Sequence, residues 1–361
     1  IWGTLLGVIC RIFPITISAL SVVGLSIGYL FLAKYQFKAT DTWYPVVIPL
    51  LLQTPLAFFG GLIWNYVDVN KERQNIKKAL GYHIPREVVE QIAKDIVQVE
   101  TEAQVVYGIC LFTDVAEYTT LSETLDPMEL GRLMNRYYET MFKPVKTNGG
   151  YVSGVIGDSM LALWATTSSE ATAKEKACSA AIDIQKELKR FCESSEYPNL
   201  KTRIGMHCGR ILLGYIGALD HYEYTPMGDI VNTASRIEYL NKSLSTRLLL
   251  SEEMVTQLNG FLTREVGKFR LAGKVKPVVV HELLGQKEEV EEKVRSACVT
   301  FAEALSAFKR QSWDEAREKF SQSLEKLGED GPSRFYMKLC EDYKQNPPGE
   351  QWDGLVRMDR K

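Results

Sequence analysis

None of the seven cysteines (Cys10, Cys110, Cys178, Cys192, Cys208, Cys298, Cys340) belongs to a C-x-x-C pair, which excludes the spacing of a structural zinc site and of a disulfide framework. The charged part of the chain therefore reads as belonging to a reducing, cytosolic compartment. An excess of charge is also missing: 43 Lys and Arg stand against 45 Asp and Glu, a net charge of -2. Without a basic surplus there is no long-range attraction to a polyphosphate backbone, and nucleic acid is not an expected partner. An apolar fraction of 45% argues against intrinsic disorder. The most informative shortage is local. Residues 1–66 contain only four charged side chains, Arg11, Lys34, Lys38 and Asp41, so this part belongs in lipid and the charge-rich remainder in water.

Residues 12–33 and 43–66 are runs of 22 and 24 residues without a charge. Each exceeds the roughly 20 residues needed to cross a bilayer. Trp43, Tyr44, Trp64 and Tyr66 bracket the second run, as amphipathic rings do at headgroup level. Pro14, Pro45, Pro49 and Pro55 are compatible with spans where neighbouring groups re-satisfy the freed carbonyls. Residues 1–10 are apolar but too short to span, and are expected to be the tail of a truncated helix. Lys71, Arg73, Lys77 and Lys78 follow the second span, whereas the loop expected at 34–42 carries two Lys and one Asp. That bias places the remainder on the cytoplasmic side of the inner, plasma membrane.

Beyond the spans, 67–102 reads as a helical connector, with Ile76, Leu80, Ile84, Val88, Val89 and Ile92 at three- and four-residue steps and Pro85 opening a second helix. Residues 105–112 form a buried strand that ends at Thr113-Asp114, and a helix follows over 127–146. Two apolar runs, 151–156 and 160–164, meet at Gly157-Asp158-Ser159 as a hairpin. A helix over 170–192 comes next, then a strand pair, 202–206 and 211–216, expected to split at Gly209-Arg210. The turn Pro226-Met227-Gly228 leads into a helix over 229–241. The resulting β-α-β-β-α-β order predicts an α+β, ferredoxin-like domain, an antiparallel-rich sheet with helices on one face. Further strands lie within 269–284, across Gly273-Lys274. In 288–326 the spacing of Ala302, Ala304, Leu305, Phe308, Trp313, Ala316, Phe320 and Leu324 reads as one tetratricopeptide-like helix pair, which must dock on something to be stable.

Asp114 at a strand end and Asp158 at a hairpin tip, on strands that this topology pairs, form an oxygen-rich site suited to Mg²⁺. That ion takes one or two carboxylates plus substrate phosphates. Arg210, Asn232 and Arg236 four apart on one helix face, and Lys274 in a Gly-Lys turn supply an amide and cations where no core needs them. Together they describe a cleft for a triphosphate. His207 and Cys208 have no partner in the pattern and read as packing residues.

The stretches Phe112-Thr113-Asp114-Val115 with Leu121-Ser122-Glu123, Gly157-Asp158-Ser159-Met160, Gly205-Met206-His207-Cys208-Gly209 with Gly214-Tyr215-Ile216-Gly217, and Tyr224 through Arg236 resemble class III nucleotidyl cyclases in order and spacing, over about 103–285. The spans and Ala79-Leu80-Gly81-Tyr82-His83-Ile84-Pro85 resemble the membrane and connector regions of bacterial cyclases that carry an extracytoplasmic CHASE-type sensor, expected upstream of Ile1. The resemblance implies a membrane-bound adenylate cyclase that converts ATP to cyclic AMP and pyrophosphate. It implies a metal set of Asp114, Asp158 and Val115 for two Mg²⁺ or Mn²⁺ ions. It assigns the ribose to Asn232, charge at the α-phosphorus to Arg236, and the β and γ phosphates to Arg210 and Lys274. It also implies a homodimer, because the carboxylates come from one protomer and Asn232, Arg236 and Lys274 from the other. The base would be selected at Gly154, where adenylyl cyclases of the family usually carry Lys, and at Thr225, whose hydroxyl can accept from adenine or donate to guanine. Guanylate cyclase activity and an inactive nucleotide-binding module are the alternatives. The expected organisation is thus spans in 1–66, connector 67–102, catalytic domain 103–285 and helical tail 286–361.

Overall fold

In a computed structural model, which describes residues 1–80, 103–166, 169–194, 200–218 and 221–358, the chain divides near residue 96 into two compact units. The first contains α1 (Trp2–Ile12), α2 (Ile15–Thr40), a π-helical turn (Ile48–Gln53) and α3 (Thr54–Leu80). Two stretches, Ile15–Thr40 and Ile48–Lys71, are long and apolar enough to cross a membrane. These helices do not share their bounds with the charge-free runs. The loop placed at 34–42 is largely helical, because no Pro or Gly interrupts the sequence after Gly28 until Pro45, and α2 ends only at Asp41 in the left-handed region. The second helix starts later, at Ile48, with a π turn where Pro49 and Pro55 supply no amide hydrogens. The Pro49 carbonyl accepts both the Thr54 amide and, at 2.8 Å, the Thr54 hydroxyl. α1 lies against α3 through Gly61, where a Cβ would stand 2.6 Å from Cys10 Cβ. The connector helix expected after Pro85 falls outside the described residues.

The second unit is built on a nine-stranded sheet. Its strands are β1 (Gln104–Val115), β2 (Tyr151–Ile156), β3 (Ser159–Thr166), β4 (Thr202–Ala218), β5 (His221–Met227), β6 (Leu248–Ser251), β7 (Phe261–Arg270), β8 (Val278–Gln286) and β9 (Leu355–Arg357). They lie in the order β2-β3-β1-β4-β6-β8-β7-β9, and β5 pairs with β4. Between strands run α4 (Tyr118–Thr124), α5 (Pro127–Thr147), α6 (Glu170–Ser194), α7 (Asp229–Leu244) and α8 (Glu252–Val255). After β8 come α9 (Glu292–Lys309), α10 (Trp313–Leu327) and α11 (Gly331–Gln345).

Three expectations are corrected here. The strand pair split at Gly209-Arg210 is one 17-residue strand, β4, because Gly209 and Arg210 stay in register opposite Gly108 and Tyr107 of β1. The antiparallel partner of its second half is β5, which also absorbs Pro226 and Met227 of the expected turn. Helices cover both faces rather than one. Ile109, Leu111, Ile204 and Met206 share a core with Leu133 and Tyr137 of α5 and Ala177 and Ile184 of α6. Cys110, Ile211 and Leu213, of opposite parity, pack with Ile230 and Ala234 of α7. Gly205 permits this second layer, since a Cβ there would stand 2.1 Å from the Glu238 amide nitrogen.

The C-terminal helices rest on the sheet. Phe301, Phe308, Phe320 and Tyr336 share a core with Val266, Phe269 and Val280, and the Tyr336 hydroxyl donates to the Val266 carbonyl at 2.7 Å. Beneath them, buried Arg264 pairs with Glu282 at 2.7 Å and with Asp330. A third helix, α11, and the strand β9 complete a segment in which the sequence announces only the first two helices.

Candidate active site

β1 delivers Thr113-Asp114-Val115 to one end of the sheet, and the β2-β3 hairpin brings Asp158 beside them. The hairpin is pinned there by main-chain donors. The Val115 amide donates to Asp158 Oδ2 at 2.9 Å, and the Met160 amide to Thr113 Oγ1 at 3.0 Å. The Ser159 hydroxyl reaches Asp114 Oδ1 at 3.4 Å, and the Tyr138 hydroxyl donates to the Gly157 carbonyl. Burial pushes the Asp158 carboxyl above its ordinary range, the Val115 amide opposes that, and the negative charge of Asp114 raises it further. A buried carboxylate whose proton affinity a neighbouring carboxylate raises is the arrangement that a divalent cation relieves. Among the described residues no group of three or more His, Cys, Asp or Glu could hold a metal. The protein thus offers two carboxylates and leaves the other positions to main chain, water or substrate, which fits a Mg²⁺-like ion.

A residue that the sequence reading overlooked completes this corner. Arg203 of β4 pairs with Asp114 and, through Nε, with Glu238 Oε1 of α7 at 3.1 Å. Burial and then the charge of Asp114 hold the Glu238 carboxyl up to about 8, with Arg203 acting in the opposite sense. Strand alternation was the available signal: 203 has the parity of 205 and 207, away from the core of Ile204 and Met206.

The second group gathers on α7 and the turn between β7 and β8. Asn232 is exposed, and Arg236 lies one helical turn further along. Lys274 pairs with Asp229 and donates to Thr233 Oγ1 at 2.8 Å. The hydrogen bond from Lys274 holds the Asp229 carboxyl below its ordinary range. Gly273, at φ +67°, lies against the Arg236 guanidinium, and a Cβ there would stand 2.9 Å from Nη1. That Nη1 is buried without a hydrogen-bond partner among the described residues.

Among the described residues no hydrogen bond joins Asp114 or Asp158 to Asn232, Arg236 or Lys274. The two groups are linked only through Arg203 and Glu238, on the sheet-facing side of α7. Arg210 is exposed on β4 opposite Tyr107, seven residues beyond Arg203, roughly 23 Å along the strand at about 3.3 Å per residue. It lies near the start of α7, where a Cβ on Gly228 would be 3.6 Å from the Arg210 carbonyl oxygen. Thr225 sits on β5 opposite Gly214, and Gly154 on the edge strand β2 opposite Leu161. Their strands approach each other, with the Tyr151 and Tyr224 ring centroids 6.5 Å apart. No atom lies within 4 Å of where a Cβ on Gly154 would stand. His207 Nδ1 meets Ser251 Oγ at 2.7 Å, and Cys208 is buried in the core.

The sequence profile of the adenylate and guanylate cyclase catalytic domain matches residues 100–285. Over 179 residues the chain is 31% identical to adenylate cyclase 1 of Rhizobium meliloti (strain 1021), a match that covers 48% of this chain and 27% of that protein. It is 31% identical over 184 residues to the adenylate cyclase of Anabaena cylindrica, covering 48% of this chain and 36% of that one. The chain thus spans between a quarter and two fifths of these relatives' length. Among solved structures it is similar to a bacterial light-regulated adenylyl cyclase, with a TM-score of 0.54 and 25% identity over 62% of this chain and 66% of the other.

Proposed function

From the premise that the chain belongs to the class III family of adenylate and guanylate cyclases, we propose that it is a membrane-bound adenylate cyclase, active as a homodimer with its catalytic domain in the cytoplasm. The observation that carries this reading is the meeting of Asp114 and Asp158 at one sheet end, with Asn232, Arg236 and Lys274 collected elsewhere on the same protomer. Neither group is a complete site. A second copy supplies what each lacks, so that one protomer's carboxylates face the partner's cations across a two-fold interface. Apolar side chains exposed near both groups support such an interface: Ile156 at the hairpin is 80% exposed and Val275 beside Lys274 is 89% exposed.

Two Mg²⁺ or Mn²⁺ ions held by Asp114 and Asp158, with Val115 beside them, would lower the pKa of the ribose 3′-hydroxyl and carry charge on the triphosphate. Asn232 orients the ribose so that O3′ lies in line with the α-phosphorus. The new O3′–P bond forms as the bond to the β-phosphate breaks, the hydroxyl proton passes to solvent and pyrophosphate leaves. Arg236 stabilises the charge that builds on the α-phosphoryl oxygens, a role typically worth about 3 kcal/mol in the transition state. Lys274 and Arg210 hold the β and γ phosphates. The Thr225 hydroxyl accepts from the adenine amino group, and a water takes the place of the donor that Gly154 lacks.

The helices Ile15–Thr40 and Ile48–Lys71 are proposed to cross the plasma membrane, and residues 67–102 to connect them to the catalytic domain. A signal from a sensor upstream of Ile1 would enter by this route. The tail, 286–361, is proposed to belong to the catalytic unit. The test is incubation of the purified chain, in detergent, with Mn²⁺ and equal ATP and GTP. Cyclic AMP as the main product, lost in Asp158→Ala, is expected. Cyclic GMP as the main product would favour a guanylate cyclase, which the donor capacity of Thr225 permits. No cyclic nucleotide from either would sink the enzymatic reading in favour of an inactive nucleotide-binding module.

A further inference from the structure

β7 ends at Arg270, and the turn that follows holds Leu271, Ala272, Gly273 and Lys274. The Lys274 amide closes this turn on the Leu271 carbonyl at 2.9 Å. The Arg236 guanidinium occupies the space a Cβ on Gly273 would need, and Lys274 reaches Asp229 and Thr233. Whatever fixes the end of β7 therefore fixes two of the cations assigned to substrate.

The end of β7 is held by the last strand of the chain. β9 pairs in parallel with it, Lys268 with Leu355, Phe269 with Val356 and Arg270 with Arg357. One residue later, the Met358 amide donates to the Arg270 carbonyl at 3.1 Å, directly before the turn. Without β9 this stretch would be a free sheet edge. Met358 also lines a small cavity of about 20 Å³ together with Arg236, Leu271 and Ala272. The tail thus borders the same small cavity as Arg236, whose guanidinium also lies where a Cβ on Gly273 would stand.

β9 is itself anchored to the C-terminal helices. Trp352 donates through Nε1 to the Leu355 carbonyl at 2.9 Å, and its ring lies 5.2 Å from Phe308 of α9, 5.7 Å from Trp313 of α10 and 5.5 Å from Tyr343 of α11. Lys268 pairs with Asp353, and Val356 is 2% exposed. One aromatic ring thereby ties three helices to three residues of strand.

We propose that residues 352–358 form a positioning clamp for Arg236 and Lys274, with Met358 the positioning residue at the guanidinium and Trp352 the anchor that fixes β9. The clamp rests on the cyclase reading for its catalytic consequence, though not for its mechanics. Among the described residues the tail makes no hydrogen bond or ion pair with Asp114 or Asp158, so loosening it disturbs the arginine and lysine and leaves the metal corner intact.

The experiment compares the full chain in detergent with Met358→Ala, Met358→Leu and Trp352→Ala. Two quantities are read: amide hydrogen exchange over 270–274, with the Lys274 amide as reporter, and kcat and KM for cyclisation. Met358→Ala is expected to speed exchange over 270–274 and to lower kcat about 10-fold or more, because small misplacement of a positioned group has effects of this size. KM for ATP should rise as well, because Lys274 holds the substrate phosphates, and Met358→Leu should restore exchange, kcat and KM. Trp352→Ala should give the same pattern with a larger loss of protection. Unchanged exchange over 270–274 in both Met358→Ala and Trp352→Ala overturns the clamp, whether or not any protein turns over nucleotide. A wild-type chain that makes no cyclic nucleotide overturns the enzymatic reading instead, and the exchange comparison still judges the clamp.

Discussion

Asp114 and Arg203 are direct cross-strand partners, opposite one another in the antiparallel register of β1 and β4, and their side chains form an ion pair. The same guanidinium reaches Glu238 on the overlying helix, so one cation joins carboxylates from a strand and a helix. Removing it leaves negative groups partly buried and facing each other.

Arg203→Ala is accordingly expected to destabilise the catalytic unit by about 2 to 3 kcal/mol in metal-free buffer, as when one member of a buried pair is deleted. Added Mg²⁺ should recover part of that loss by supplying the missing positive charge. Denaturant unfolding with and without Mg²⁺ measures both, and an unchanged midpoint in metal-free buffer would contradict the assignment.

Gly154 offers open space at the edge of β2. Gly154→Lys should place an ammonium donor near the base and raise the kcat/KM ratio of ATP over GTP by about 10-fold, the worth of one charge-assisted hydrogen bond. Competition between the two nucleotides is the readout. A ratio that does not move would mean that β2 does not face the base.

Burial holds the Glu238 carboxyl up to about 8, well above its value of 4.5 in an unfolded chain. A raised acid of this kind contributes stability that is complete below 4.5 and is lost as pH rises through 8. Wild-type melting temperature should therefore fall across pH 5 to 9 by more than that of Glu238→Gln, whose side chain does not titrate. Parallel pH profiles for the two proteins would refute this.

A homodimer with shared sites predicts complementation. Asp114→Ala and Arg236→Ala chains, each inactive alone, should recover about a quarter of the wild-type rate when co-expressed in equal amounts, since half the dimers are mixed and each has one intact cleft of two. Continued inactivity in a verified mixed dimer would place the whole site within one protomer.

Several features were legible because they depend on neighbours in sequence. The charge-poor runs, the hairpin at Gly157-Asp158 and the amphipathic spacing of α5, α6 and α7 follow from local composition and period. Arg210 was legible as an exposed cation, while its distance along β4 from Asp114 was not. The break expected at Gly209-Arg210 failed because a glycine in a long strand looks like a turn until its partner, Gly108, is known.

By itself, the sequence determined which stretches are apolar enough to enter lipid, the first strand, the hairpin and the helices that follow 127, 170 and 229, and which acidic and basic side chains stand at element ends. Only the tertiary structure decided that Arg203 meets Asp114, that α7 lies on the second face over Gly205, and that three residues near the end of the chain close the sheet beside β7. The physical reason is register. Local pattern fixes the face a side chain takes, but which strand it meets is set by pairing between segments as far apart as 268 and 355, and no local spacing encodes that choice.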